Sequence, residues 1–203
     1  MKHKVVTISR EFGSGGRTIG KELAKKLGIP CYDQELIEKT AEKSGFAKEY
    51  IKDRGEDAAH SNWLSNAFID RDARGLSMQD YLWNVQSKVI RELAEQGPCI
   101  IVGRCADFVL RDTADCLKVF IHASMEKRAE RIVRVYGERI DSPEKRLKDK
   151  DKRRRIYHQY YTDMEWGAAA NYHVVLDSGE LGIDTCVDLL AFIYNKKGSL
   201  KTI

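Results

Sequence analysis

The chain has 203 residues, 35 Lys and Arg against 31 Asp and Glu, and a net charge of +4. That length suits one domain with a real core. So mild a charge, in a chain 42% apolar and 33% charged, argues against both disorder and a dedicated nucleic-acid surface. The five cysteines (Cys31, Cys99, Cys105, Cys116, Cys186) are odd in number and form no C-x-x-C pair. They point away from a disulfide framework or a zinc site and toward a reduced, cytoplasmic protein. No apolar run reaches membrane-spanning length, and the opening residues do not read as a secretory leader.

Val5-Val6-Thr7-Ile8-Ser9 reads as a short apolar strand. Arg10-Glu11-Phe12-Gly13-Ser14-Gly15-Gly16-Arg17-Thr18 follows as a glycine-rich turn, and Ile19 to Leu27 as an amphipathic helix. A strand, a glycine-rich loop and a helix N-terminus together make a phosphate grip. Loop N–H groups converge on the anion, and the helix end adds partial positive charge. The P-loop pattern is G-x-x-x-x-G-K-[ST]. Gly16, Arg17 and Thr18 fit its end with Arg in place of Lys, while Glu11 stands where the pattern has Gly. On this reading Gly13, Ser14, Gly15 and Gly16 wrap the phosphates. Arg17 supplies the cation, and Thr18 supplies the hydroxyl that would hold Mg²⁺.

Gly28-Ile29-Pro30 ends the first helix, and Cys31-Tyr32-Asp33 forms a second strand or its tip. Residues 34–97 read as mostly helical. They contain a helix over Gln34–Ser44, a polar stretch over Lys48–Ser61, and a short helix around Trp63 and Phe68. A long helix opens at a capping box, Ser77 to Asp80, and closes at Gly97-Pro98. Cys99–Val102 is a continuous apolar run of the kind buried in a parallel sheet, and it leads into Gly103-Arg104. Leu117–Ile121 is another strand. Helices are expected over Met125–Tyr136 and from Ser142-Pro143 onward; the second is highly charged and carries Tyr157, Tyr160, Tyr161 and Trp166 further on. A strand over Val174–Leu176 and a helix over Leu181–Tyr194 complete the order.

This alternation predicts an α/β domain with a parallel sheet covered on both faces. Ligands in such sheets bind beyond the carboxyl ends of the strands. Ser9–Thr18, Asp33, Arg104 and Ser178 all fall just past strand ends, so they can share one crevice. Arg128 and Arg131 stand about one helical step apart and are candidates for phosphate contact. The five histidines are isolated, and no Ser-His-Asp or His-Glu-x-x-His arrangement is present.

These residues together resemble the cytidylate kinase-like family of the P-loop nucleoside monophosphate kinase group. The carrying segments are Ser9–Gly20, Tyr32-Asp33, Ile101–Arg104, Leu117–Ser124 with Arg128–Arg131, and Tyr172–Gly182. The resemblance implies a single P-loop kinase-type three-layer sandwich. Its parts would be a five-stranded parallel sheet, a helical acceptor-binding segment over 34–97, and a mobile, arginine-bearing helical lid over 138–166. It implies ATP and Mg²⁺ as ligands and a small nucleotide or other phosphorylated acceptor as partner; neither a membrane nor nucleic acid is an expected partner. Catalytic arginines would be Arg17, Arg104, Arg128 and Arg131, and substrate contacts Asp33, Arg104 and Asp107.

The chain also departs from the family pattern. Cytidylate kinases follow the Asp at 33 with Thr-Gly and a downstream Arg, where Gln34-Glu35 and Lys39 stand here. They follow the Gly-Arg of the third strand with Asp, where Cys105 stands here, with Asp107 two residues on. The donor half therefore matches better than the acceptor half. Two other readings stay open. One is a nucleotide-binding regulator without phosphoryl transfer, suggested by Glu11, Arg17 and Cys105. The other is a nucleic-acid module on the basic helix, weakened by the interleaved Glu144, Asp149 and Asp151.

Overall fold

The computed structural model describes residues 5–33, 78–112, 115–136 and 142–196. Five parallel strands make one sheet: β1 (Val5–Arg10), β2 (Cys31–Tyr32), β3 (Cys99–Val102), β4 (Cys116–His122) and β5 (Val174–Asp177). Their spatial order is β2-β3-β1-β4-β5, so β1 lies at the centre. Its register pairs Val5 with Cys99 on one side and Val5 with Cys116 on the other.

The helices are α1 (Gly16–Leu27), α2 (Met78–Gln96), α3 (Ala106–Val109), α4 (Met125–Tyr136), α5 (Pro143–Thr162), α6 (Ser178–Leu181) and α7 (Ile183–Lys196). A 3-10 turn at Ala169–Asn171 precedes β5. Alternation along the strands divides the core into two faces. Val6, Ile8, Ile100, Val102, Val119 and Ile121 face α1 and α7, where Ile19, Leu23 and Leu190 are fully buried. Val5, Cys99 and Ile101 face α2 and α3, meeting Val89, Ile90 and Leu93. The result is the expected α/β three-layer sandwich, and among the described residues no helix is long and apolar enough to cross a membrane.

One local reading needs correction, and two features were not foreseen. The helix expected over Leu181–Tyr194 is two helices, because Gly182 (φ 77°, ψ 163°) takes an extended positive-φ conformation between them that breaks the helix. α3 goes unannounced in the sequence: four residues are too few to show a period. The charged helix is not solvated on all sides. Leu147, Asp151, His158 and Thr162 of α5 are buried at helical spacing, so one stripe packs inward although three of its four members are polar. The helices read over Gln34–Ser44 and around Trp63, and the Ser77 cap, lie outside the described residues.

Candidate active site

β1 delivers Glu11–Gly15 to the carboxyl edge of the sheet centre, where α1 begins. Gly13 (φ 80°) and Gly15 (φ 81°) both take the left-handed conformation, which tightens the loop and turns it into the helix. A side chain at 15 would place Cβ 2.5 Å from Ile183 Cδ1. The first helical bond runs from Ile19 N–H to Gly15 C=O (2.9 Å), so the N–H groups of Gly16, Arg17 and Thr18 lie ahead of the ladder. No side chain caps this end and no acidic residue stands in its first turn. An anion-binding helix terminus has this form.

The loop is anchored from outside. The Ser14 hydroxyl donates to the carbonyls of Glu11 (2.9 Å) and Ile121 (3.2 Å), and the Ser178 hydroxyl donates to Ser14 C=O. Glu11 does not fill the cradle. Its carboxylate accepts from Ala123 N–H (3.2 Å) and lies 3.4 Å from Arg128 Nε, at the start of α4. Burial pushes the Glu11 carboxyl above its ordinary range, partly offset by the Arg128 charge and the Ala123 N–H.

The expected arginines fall in different places. Arg131 reaches the loop: its Nη2 donates to Thr18 Oγ1 (3.1 Å), and its guanidinium would touch a Cβ at Gly15 (3.2 Å). Arg17 is half exposed and ion-paired with Asp33, so the tip of β2 and the loop are linked directly. Arg128, expected as an open phosphate contact, is a buried strut. It donates to Ala123 C=O (3.1 Å) and Phe12 C=O (3.2 Å) and is ion-paired with Asp151 of α5. Asp151 also accepts from Phe12 N–H (2.7 Å), so the charged helix is tied to the loop.

Arg104 follows β3 inside a left-handed run of Gly103 (φ 78°), Arg104 (φ 59°) and Cys105 (φ 51°). Two non-glycine residues held there mark a strained turn of the kind that clusters at functional sites. Arg104 lines a crevice with Ser9, Arg10, Arg154, Tyr157 and Trp166. Asp107, expected to touch substrate, is buried instead and does not line that crevice. It lies 3.6 Å from Nε2 of the buried His158. Burial also pushes the Cys105 thiol up, so it stays protonated.

Sequence reading counted Arg10 in the crevice and Arg154 in the lid without giving either a role of its own, and it passed over Asp151 and His158, whose buried stripe is masked by the charged residues around it. The aromatic residues of α5 are packing groups: Tyr161 stacks on Trp83 (4.3 Å between centroids), and the Tyr157 hydroxyl accepts from Gln86 (3.1 Å).

Comparison with known proteins agrees with this fold. A sequence profile of the cytidylate kinase-like family matches residues 5–180. A cytidylate kinase from Methanopyrus kandleri is 26% identical over 200 residues, covering 92% of this chain and 90% of its own. The crystal structure of an uncharacterized protein from Eubacterium ventriosum superposes with a TM-score of 0.70 at 26% identity, covering 94% of this chain and 98% of its own. A shikimate kinase from Acinetobacter baumannii, in complex with shikimate, shares the fold at 16% identity with a TM-score of 0.53, covering 98% and 96%. By the extent of the profile match, which spans most of its length, the chain belongs to the cytidylate kinase-like family.

Proposed function

We propose that the protein is an ATP-dependent phosphotransferase acting on a nucleoside monophosphate, such as a cytidylate-like nucleotide, or on another small phosphorylated acceptor. The observation that carries this reading is the uncapped N-terminus of α1 behind a loop with two left-handed glycines, with Arg131 over it. Phosphoryl transfer through a loose transition state needs positioning and charge neutralisation, and it needs no strong base when the acceptor is already an anionic phosphate. Gly13–Gly16 would hold the donor phosphates by their N–H groups. Arg17 and Arg131 would meet the transferring charge, and Asp33 and Arg104 would face the acceptor. Arg128 would act through the loop it braces.

Thr18 Oγ1 is the oxygen that the loop offers to a cation, and it already accepts from Arg131. One hydroxyl suits Mg²⁺ carried in with the nucleotide, because that ion keeps most of its water and phosphate ligands. It would neutralise phosphate charge, and Arg131 would then turn from Thr18 toward the nucleotide.

The Arg17–Asp33 pair favours a second reading, nucleotide binding without transfer, since it engages the loop's cation with a carboxylate. Titration with a non-hydrolysable ATP analogue, followed by a product screen over nucleoside monophosphates and other phosphomonoesters, separates the two. Binding with product on at least one acceptor supports the kinase. Binding with no product on any acceptor supports the regulator. No binding refutes both.

A further inference from the structure

The chain's mild net charge hides a concentrated one. α5 holds eight Lys and Arg against three Asp and Glu, an excess of five where the whole chain has an excess of four. The fold then sorts these charges. Helical spacing places Lys145, Lys148, Lys152 and Arg155 along one stripe, three, four and three residues apart, and all four are exposed. The acids interleaved in the sequence leave this stripe unmatched. Asp151 turns inward to Arg128 and Phe12 N–H. Asp149 is half-buried at the stripe's edge and forms no ion pair among the described residues. Glu144 stands in the first turn, where it complements the helix dipole. We infer that the stripe is a docking surface for a single strand of nucleic acid, held by its phosphate backbone. It lies outside the donor loop and needs no kinase chemistry.

Four cations in a row repel one another at the i,i+3 and i,i+4 spacings found here. Among the described residues, Lys145, Lys148 and Lys152 form no ion pair, and Arg155 lies over the ring of Trp166, 5.9 Å from its centroid. The chain pairs none of these charges, and a polyanion would. The dimensions suit a phosphate backbone. From Lys145 to Arg155 the helix axis advances about 15 Å. A stacked strand presents a phosphate about every 3.4 Å, so about four phosphates face four cations. The kind of partner follows from what the helix lacks. Among the described residues of α5, Tyr160 is the only exposed large apolar side chain, 46% exposed. A protein partner would need an apolar anchor, and lysine is depleted at the centres of such interfaces. A bilayer would hold an interfacial helix by an apolar face, and α5 presents none outward. A nucleic-acid strand needs only cations for its phosphates and a ring on which a base can stack. Tyr160 stands about 8 Å beyond Arg155 along the axis, edge-on to Tyr161 (4.8 Å between centroids), and offers that ring. The inner side of α5 is buried at Leu147, Asp151 and His158, so the helix cannot enter the major groove of a duplex.

The test is fluorescence anisotropy of the full chain with a labelled single-stranded RNA of about 20 nucleotides bearing hydroxyl ends. Mg²⁺ and the non-hydrolysable ATP analogue are present throughout, to keep the donor loop occupied. Affinity should fall about 50-fold between about 50 and about 200 mM salt, the slope expected for four phosphate contacts on a single strand. Lys148→Gln and Lys152→Gln together should bind at least about tenfold more weakly at about 50 mM salt and lose about half of that slope. Lys21→Gln and Lys25→Gln together, an equal change of charge at exposed positions of α1, should stay within about twofold of wild type. Thermal melts check that each variant is folded. No binding at about 50 mM salt, affinity that ignores the α5 lysines, or a duplex that binds as tightly as the single strand would overturn the assignment. So would poly-glutamate or phosphatidylserine vesicles that displace the RNA as well as unlabelled RNA does, since the partner would then be a protein or a membrane. If the ATP analogue itself fails to bind, the kinase reading falls, and the comparison of lysine variants still decides the stripe.

Discussion

Asp151→Asn tests how the glycine-rich loop ahead of α1 is held in shape. Asp151 and Arg128 form an ion pair with side chains only 9% and 6% exposed, and the second Asp151 oxygen accepts from Phe12 N–H at 2.7 Å. Asparagine keeps the volume but has one acceptor oxygen. If that oxygen stays on Phe12 N–H, the amide NH₂ confronts the Arg128 guanidinium. If the amide flips, Phe12 N–H faces an NH₂ group. Either way one buried donor is orphaned, at about 1–3 kcal/mol. Arg128 also loses its main counter-charge, and removing one partner of a buried pair typically costs about 3–5 kcal/mol. Glu11 lies 3.4 Å from Arg128, and its attraction across that distance is about 5 kcal/mol at an effective dielectric of 20. It therefore covers part of the loss. The net expectation is a destabilisation of about 2–4 kcal/mol, seen as a lower urea midpoint at pH 7 with an unchanged slope. Glu144→Gln, an exposed change of the same charge on the same helix, should stay within about 0.5 kcal/mol. A loss below about 0.5 kcal/mol in Asp151→Asn would refute the claim that this pair braces the loop.

Glu11→Gln should alter the pH dependence of stability. Because the folded Glu11 carboxyl titrates above its model value of 4.5, the native state holds its proton more tightly than the unfolded chain. Wild-type stability relative to the variant should therefore fall as pH rises from about 4.5 through the raised value and level off beyond it. Urea midpoints for both proteins at stepped pH measure this, and a constant difference would contradict it. Gly15→Ala forces a side chain into a left-handed position (φ 81°) and against Ile183. It should cost at least about 1–2 kcal/mol and weaken ATP-analogue binding, measured by thermal melts with and without the analogue. Arg17→Ala should lower kcat on the true acceptor by about 10²-fold or more. Unchanged turnover in steady-state kinetics would remove Arg17 from the reaction.

Much of the central layer was legible because each signal there is local. The run Val5–Ser9 and the run Cys99–Val102 are too apolar and too short to be anything but buried strands, and the glycines between Phe12 and Arg17 have no use in a plain turn. What stayed hidden depends on contacts distant in sequence. Arg128 and Arg131 look alike on paper, yet one turns inward to Asp151, 23 residues on, and the other reaches Thr18, 113 residues back. Nothing local distinguishes them. The buried stripe of α5 escaped for a different reason. Asp151 and His158 are buried by partners, not by hydrophobicity, so a search for apolar periodicity passes over them.

One helix carries both Asp151, held at Phe12 N–H, and Arg154, held at Arg10 C=O, less than a turn apart. A helix moves as a rod, so displacement at one contact is felt at the other. On the proposed kinase reading, any cooperativity this creates between a donor at the loop and an acceptor in the Arg104 crevice is equal in both directions, since each can raise or lower the other's affinity only by the same factor.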